Sequence, residues 1–174
     1  MLFRSSGFSV VTYTGNGTAG ATVGHGLGVA PKMLIVKNRV QGTYGNWNVW
    51  HTAITGSQYL SLNLTDAVST NNNRWNGTIP TSTVFSLGAD TFGNTNKSGD
   101  TYVAYVFSEV AGYSKFGSYT GNDSSDGPFI YTGFRPKFLL IKNISTTTDW
   151  VVIDTSRSTY NVSANKLYPN LSSA

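Results

Sequence analysis

An internal repeat constrains this chain more than any other feature. Tyr13-Thr14-Gly15-Asn16 returns as Tyr119-Thr120-Gly121-Asn122. Pro31-Lys32-Met33-Leu34-Ile35-Val36-Lys37-Asn38 returns as Pro136-Lys137-Phe138-Leu139-Leu140-Ile141-Lys142-Asn143. Trp47-Asn48-Val49-Trp50 is matched by Trp150-Val151-Val152-Ile153, and Leu60-Ser61-Leu62-Asn63-Leu64 by Leu167-Tyr168-Pro169-Asn170-Leu171. The blocks keep their order at offsets of 103 to 107 residues, a period too long for a solenoid and suited to a repeated domain. The division expected is a first unit over 1–111, with 1–6 a linker or the tail of a preceding unit, and a second unit over 112–174. The first copy goes on to Trp75-Asn76-Gly77-Thr78, Thr83 to Gly88 and Tyr102 to Phe107, for which the second has no counterparts. The expectation is therefore an incomplete second unit in a longer array, with an open sheet edge that another chain would have to close.

The fold class follows from what fills the repeat. Charged residues are 11% of the chain, and Gly, Asn, Ser and Thr take their place. Gly and Asn supply positive φ, while Asn, Ser and Thr bond their own backbone, so the mixture suits short strands joined by turns. Phe8 to Tyr13 alternates in the manner of a half-buried strand, and Met33 to Val36 is a continuous apolar run between lysines, as in a central strand. Strands are expected at 8–14, 20–24, 33–38, 47–51, 58–63, 83–88 and 101–107 in the first copy. In the second they are expected at 114–120, 128–132, 138–142, 150–154 and 166–168. No helical period of useful length interrupts them. The class is all-β, as tandem β-sandwich units of jelly-roll-like character.

Composition also narrows function. The formal net charge is +4, but the twelve Lys and Arg are spread singly and form no stripe that could follow a phosphate backbone. No nucleic-acid partner is expected. Cysteine is absent, which removes disulfides, thiolate chemistry and cysteine metal sites. No run reaches the roughly 18 apolar residues a membrane helix needs, and Arg4 to Gly7 interrupts any signal-peptide core.

His25 and His51 are the natural acid–base or metal candidates. His25 stands in Gly24-His25-Gly26-Leu27-Gly28, but Pro31 and an apolar strand follow where a phosphate loop would need a helix, so a structural turn is expected. The counterpart of His51 is Asp154, which reads as a strand-end position. Asp123 and Asp126 flank Ser124-Ser125, too few carboxylates for a calcium cage. No carboxylate dyad and no Gly-x-Ser-x-Gly elbow stand out. Neither catalytic residues, a metal nor a cofactor is expected. Trp47 and Trp150 share a place in both copies and read as core. Trp75 and Tyr44 sit in polar loops, and with Asn73 and Asn76 they are the candidate glycan contacts, since a ring offers an apolar face beside amide hydrogen bonds.

Taken together these motifs resemble a family of marine bacteriophage virion proteins, the cyanophage-type tail-fibre-like and appendage proteins. The segments that carry the resemblance are Gly7 to Gly17, His25 to Lys37, Trp47 to His51, Leu60 to Asn63, Trp75 to Gly88, Tyr102 to Asn122 and Gly133 to Trp150. The resemblance implies a non-enzymatic virion structural protein, a tail fibre, appendage or capsid-surface decoration module, outside the cell. Its partners would be copies of itself or other virion proteins. The alternative is a carbohydrate-binding host-adhesion domain that touches a host surface glycan.

Overall fold

The computed structural model describes residues 7–40, 45–159 and 164–172. Its elements run β1 (Phe8–Thr14), β2 (Ala21–Gly24), β3 (Met33–Asn38), β4 (Asn48–His51), β5 (Gln58–Ser61), β6 (Ser69–Thr70), α1 (Asn72–Trp75), β7 (Val84–Leu87), β8 (Thr101–Phe107), β9 (Phe138–Ile141) and β10 (Val151–Asp154). The first eight strands follow the sequence expectation to within two residues at each end, apart from the two-residue β6, which the sequence did not suggest. The chain is all-β, as expected, with one single-turn helix among the described residues.

Six strands form one antiparallel sheet in the order β1-β8-β3-β4-β5-β6, and β2 pairs with β7 in a separate ribbon. Successive side chains of a strand point to opposite faces. Along β8 this sends Tyr102, Ala104 and Val106 into full burial while Val103, Tyr105 and Phe107 are half-buried. Leu34 and Val36 of β3, Trp50 of β4 and those three β8 residues make up the first core with Phe85 and Leu87 of β7 and Trp75 of α1. The β2–β7 ribbon thus covers one face of the sheet in a sandwich-like arrangement.

The other face is covered from the second half of the chain. Ile35, Val49 and Leu60 form a second core with Trp150, and Tyr105, Phe107, Leu140 and Ile144 pack around it. Trp150 Nε1 donates to the Ser61 carbonyl at 2.9 Å, and Val68 N donates to the Ile144 carbonyl at 3.0 Å. Both faces of β3 and β4 are therefore apolar, which is why Met33 to Val36 reads as an unbroken hydrophobic run.

The repeat recurs as geometry. Ile35 pairs with Val49 and Val49 with Leu60. Their counterparts Leu140, Val152 and Leu167 pair in the same way, through β9–β10 and one isolated bridge. Trp47 N donates to Asn63 Oδ1 at 2.9 Å, and Trp150 N to Asn170 Oδ1 at 2.8 Å. Thr52 N bonds the Lys32 carbonyl, and Thr155 N bonds that of Lys137. The same three-strand substructure is built twice.

Two expected strands do not form. Residues 114–120 contribute only the bridge of Ser114 to Val110, and 128–132 contribute none. In the first copy β1 is held by β8 and β2 by β7. Among the described residues neither stretch finds a partner of that kind, so they have apolar residues and strand propensity but no ladder to join. The residues covering β9–β10 are those of the first sheet, and no second sandwich layer closes over its other side among the described residues.

Candidate functional site

The loop expected to offer aromatic stacking does not do so. Asn71 caps α1 through its side chain, which accepts from Asn73 N at 2.9 Å, and Asn76 ends the helix at φ 55° in the left-handed conformation. This single turn swings Trp75 inward, where it is 1% exposed within the first core. Asn73 and Asn76 remain exposed; Asn73 gives its backbone N–H to the N-cap, and Asn76 closes the C-terminal end. Tyr44 lies outside the described residues. A tryptophan buried to this extent has no face for a sugar, so Trp75 does not supply the stacking ring expected of it.

The histidines have structural partners. His25 is 1% exposed, its Nε2–H donating to the Thr81 carbonyl at 3.1 Å and its Nδ1 accepting from Leu27 N at 3.2 Å. It locks a turn in which Gly26 and Gly28 both adopt φ 72°. His51 Nδ1 accepts from Ala53 N at 3.1 Å. Its counterpart Asp154 accepts from Ser156 N at 3.0 Å through Oδ1, the same bond two residues on. A ring and a carboxylate thus play one role, because all that the strand end needs is an acceptor. Burial lowers the His51 pKa, since the imidazolium would be poorly solvated there.

A buried polar cluster fills the connection between β7 and β8. Asp90 accepts from Thr95 N at 2.7 Å and Phe92 N at 3.0 Å, and lies 3.7 Å from the Arg74 guanidinium. Asn38 Nδ2 reaches the Gly93 carbonyl at 2.7 Å and Asp100 Oδ2 at 2.8 Å. Asn96 binds the Thr18 and Gly88 carbonyls and receives Asn16 N. Tyr13 Oη donates to the Thr95 carbonyl at 2.7 Å. The signal was the density of Asp, Asn and Thr from Asp90 to Asp100 before an apolar strand. These groups satisfy one another and the backbone, so their chemistry is that of a structural plug.

Among the described residues no group of three or more His, Asp or Glu is placed to hold a metal, and no helix is long and apolar enough to cross a membrane. A concavity beside Arg157, Asn165, Lys166 and Tyr168 has no carboxylate in its lining.

The surface that stands out belongs to the second repeat. Every residue from Gly117 to Tyr131 is exposed. Phe129 is 89% and Tyr131 78% exposed, and Tyr119, Ile130, Phe138 and Leu139 are exposed with them. Phe138 and Leu139 match Met33, which is half-buried, and Leu34, which is 1% exposed. These aromatic and aliphatic side chains are the ones that the second repeat leaves uncovered.

Fold and surface together define an all-β protein with a partly uncovered repeat. The chain belongs to the family described as a domain of unknown function, DUF7483, which matches residues 3–174. No curated protein and no solved structure matches it.

Proposed function

We propose that this chain is a non-catalytic structural module of a bacteriophage virion, an appendage, tail-fibre or surface-decoration element that works by assembly. The observation that carries the reading is the set of exposed apolar side chains between Tyr119 and Leu139, in which the rings of Tyr119, Phe129, Tyr131 and Phe138 lie open to solvent. Water-exposed rings in such number are costly to leave bare and are suited to contact with another protein. The resemblance of Gly7 to Gly17, His25 to Lys37 and Tyr102 to Asn122 to phage appendage proteins supplies the setting. Low charge and self-satisfied polar loops suit a rigid spacer outside a cell.

The carbohydrate-binding alternative named Trp75 and Tyr44 as its rings; Trp75 is buried and presents no face, and Tyr44 lies outside the described residues. The assembly reading is tested by peptide mass spectrometry on gradient-purified particles of the phage that encodes the chain, followed by cryo-EM localisation. Stoichiometric recovery in the particle with density on residues 117–139 is expected. Recovery only from the lysate supernatant would sink it.

A further inference from the structure

The second repeat retains the residues that in the first repeat receive the loop and strand from Asn94 to Phe107, although nothing in the described structure occupies that place. Tyr13 stacks on Tyr102, with ring centroids 5.0 Å apart. Its counterpart Tyr119 is 52% exposed. A Cβ on Gly15 would run into the Lys97 carbonyl oxygen and lie 2.9 Å from the Asn96 carbonyl carbon, so that glycine is required by the loop. A Cβ on Gly121 would meet nothing within 4 Å. Asn38 is 1% exposed among Gly93, Asp100 and Tyr102, whereas Asn143 is exposed. Lys32 N donates to the Phe107 carbonyl at 2.7 Å. The Lys137 amide has no such partner among the described residues.

The strand edges agree. In the first copy β3 lies between β4 and β8, with Met33 opposite Phe107 and Ile35 opposite Tyr105. In the second copy β9 pairs with β10 alone among the described residues, and its other edge has no strand partner there. Charge points the same way. Lys32 contributes to lowering the Glu109 pKa, after the larger effect of its hydrogen bond from Lys115. Arg135 and Lys137 at the open edge are exposed, and no ion pair involves them among the described residues.

We infer that the open edge of β9 receives a β-strand with the pattern of Asn94–Glu109, carried by a further repeat of this kind. The strand would run antiparallel to β9 in the register of β8 on β3. Its preceding loop would lie on Gly121, its ring on Tyr119 and its trailing acid beside Lys137. This chain's own β8 does not serve, because β1 and β3 already hold both its edges. Backbone pairing would give affinity and the alternating side chains register, as in other strand-addition complexes. The inference deepens the assembly reading and rests on it for its setting.

The test uses the full chain and a synthetic peptide copying residues 94–109, followed by hydrogen exchange and mass spectrometry. Saturating peptide should slow exchange of the 137–142 amides about tenfold or more. A peptide with the same residues scrambled should not. Gly121→Val should abolish the protection while leaving the melting temperature of the free chain unchanged, since the added side chain enters open space. The inference is overturned if exchange at 137–142 ignores the peptide, responds equally to the scrambled one, or survives Gly121→Val. It is also overturned if those amides are protected without peptide in proportion to chain concentration, which would mean that a second copy covers the edge. In either case, recovery of the chain from purified particles leaves the virion reading standing, so the two fail separately.

Discussion

Tyr13 and Tyr102 face each other directly across the β1–β8 ladder, with rings 11° from parallel and centroids 5.0 Å apart. The Tyr102 hydroxyl accepts from Lys97 N at 2.8 Å, and Asn38 Nδ2 reaches it at 3.2 Å. That pair joins the apolar core to the polar loop above it. Tyr102→Phe keeps the ring but leaves the Lys97 amide without its acceptor. A loss of roughly 1–3 kcal/mol is expected, read as a lower urea midpoint with an unchanged slope.

The same tyrosine sets the alkaline limit. Burial pushes the Tyr102 pKa up to about 12, and Tyr13 is raised well above its usual value for the same reason. Above pH 10 the unfolded chain releases these protons while the folded chain holds them, so the unfolded state binds fewer and stability falls as pH rises. The loss begins near the ordinary tyrosine pKa of about 10. For Tyr102 it continues to about 12. A shift of that size amounts to roughly 2–3 kcal/mol. Tyr102→Phe should flatten the decline in denaturant midpoints measured from pH 9 to 12. An unchanged decline would show that the ring's burial does not govern it.

His51 and Asp154 make one prediction about the acid side. Burial lowers the His51 pKa. Below pH 6.5 the unfolded imidazole takes up a proton that the folded one resists, so this residue's contribution is present above that pH and is lost as pH falls through it. His51→Asp copies the residue that performs the same backbone bond in the second repeat. Stability at pH 7 should stay within about 1 kcal/mol of the parent, and His51→Ala should lose about that much. Thermal melts at pH 7 and 5 separate the variants, with His51→Asp expected to lose less on acidification.

Sequence alone made the strands of the first copy legible because each has a period-two pattern or an apolar run between turn residues. Phe8 to Thr14 and Thr101 to Phe107 are of the first kind, and Met33 to Val36 is of the second. The same local signals at 114–120 and 128–132 misled, since strand formation needs a partner that no local pattern reveals. Trp75 misled for the opposite reason. Its flanks Asn73 and Asn76 read as a polar loop, yet a single capped turn between them rotates the ring inward. The repeat located Trp150 correctly but not its neighbour, because Ser61 lies on the first copy's sheet and only the tertiary arrangement brings its carbonyl to the indole.

Trp75 therefore tests the folding role against the ligand role. Trp75→Ala should cost roughly 3–5 kcal/mol, as for a large aromatic removed from a close-packed core. Trp75→Phe should cost much less, because the indole N–H finds no partner among the described residues and its loss exposes no unmet acceptor. Equal stability of the parent and Trp75→Ala in guanidinium melts would contradict this burial.

Gly15 and Gly121 occupy one motif position in two surroundings, which makes them a matched pair. Gly15→Val drives a branched side chain into the backbone of Asn96 and Lys97, which cannot retreat without breaking the bonds from Asn16 and Gly17 to Asn96. A loss of about 3 kcal/mol or more is expected. Gly121→Val meets open space and should change stability by less than about 0.5 kcal/mol. Chemical denaturation of both variants beside the parent measures the difference. If Gly121→Val proves as damaging as Gly15→Val in the isolated chain, the second repeat is already closed over that glycine, and the uncovered surface assigned to it does not exist in solution.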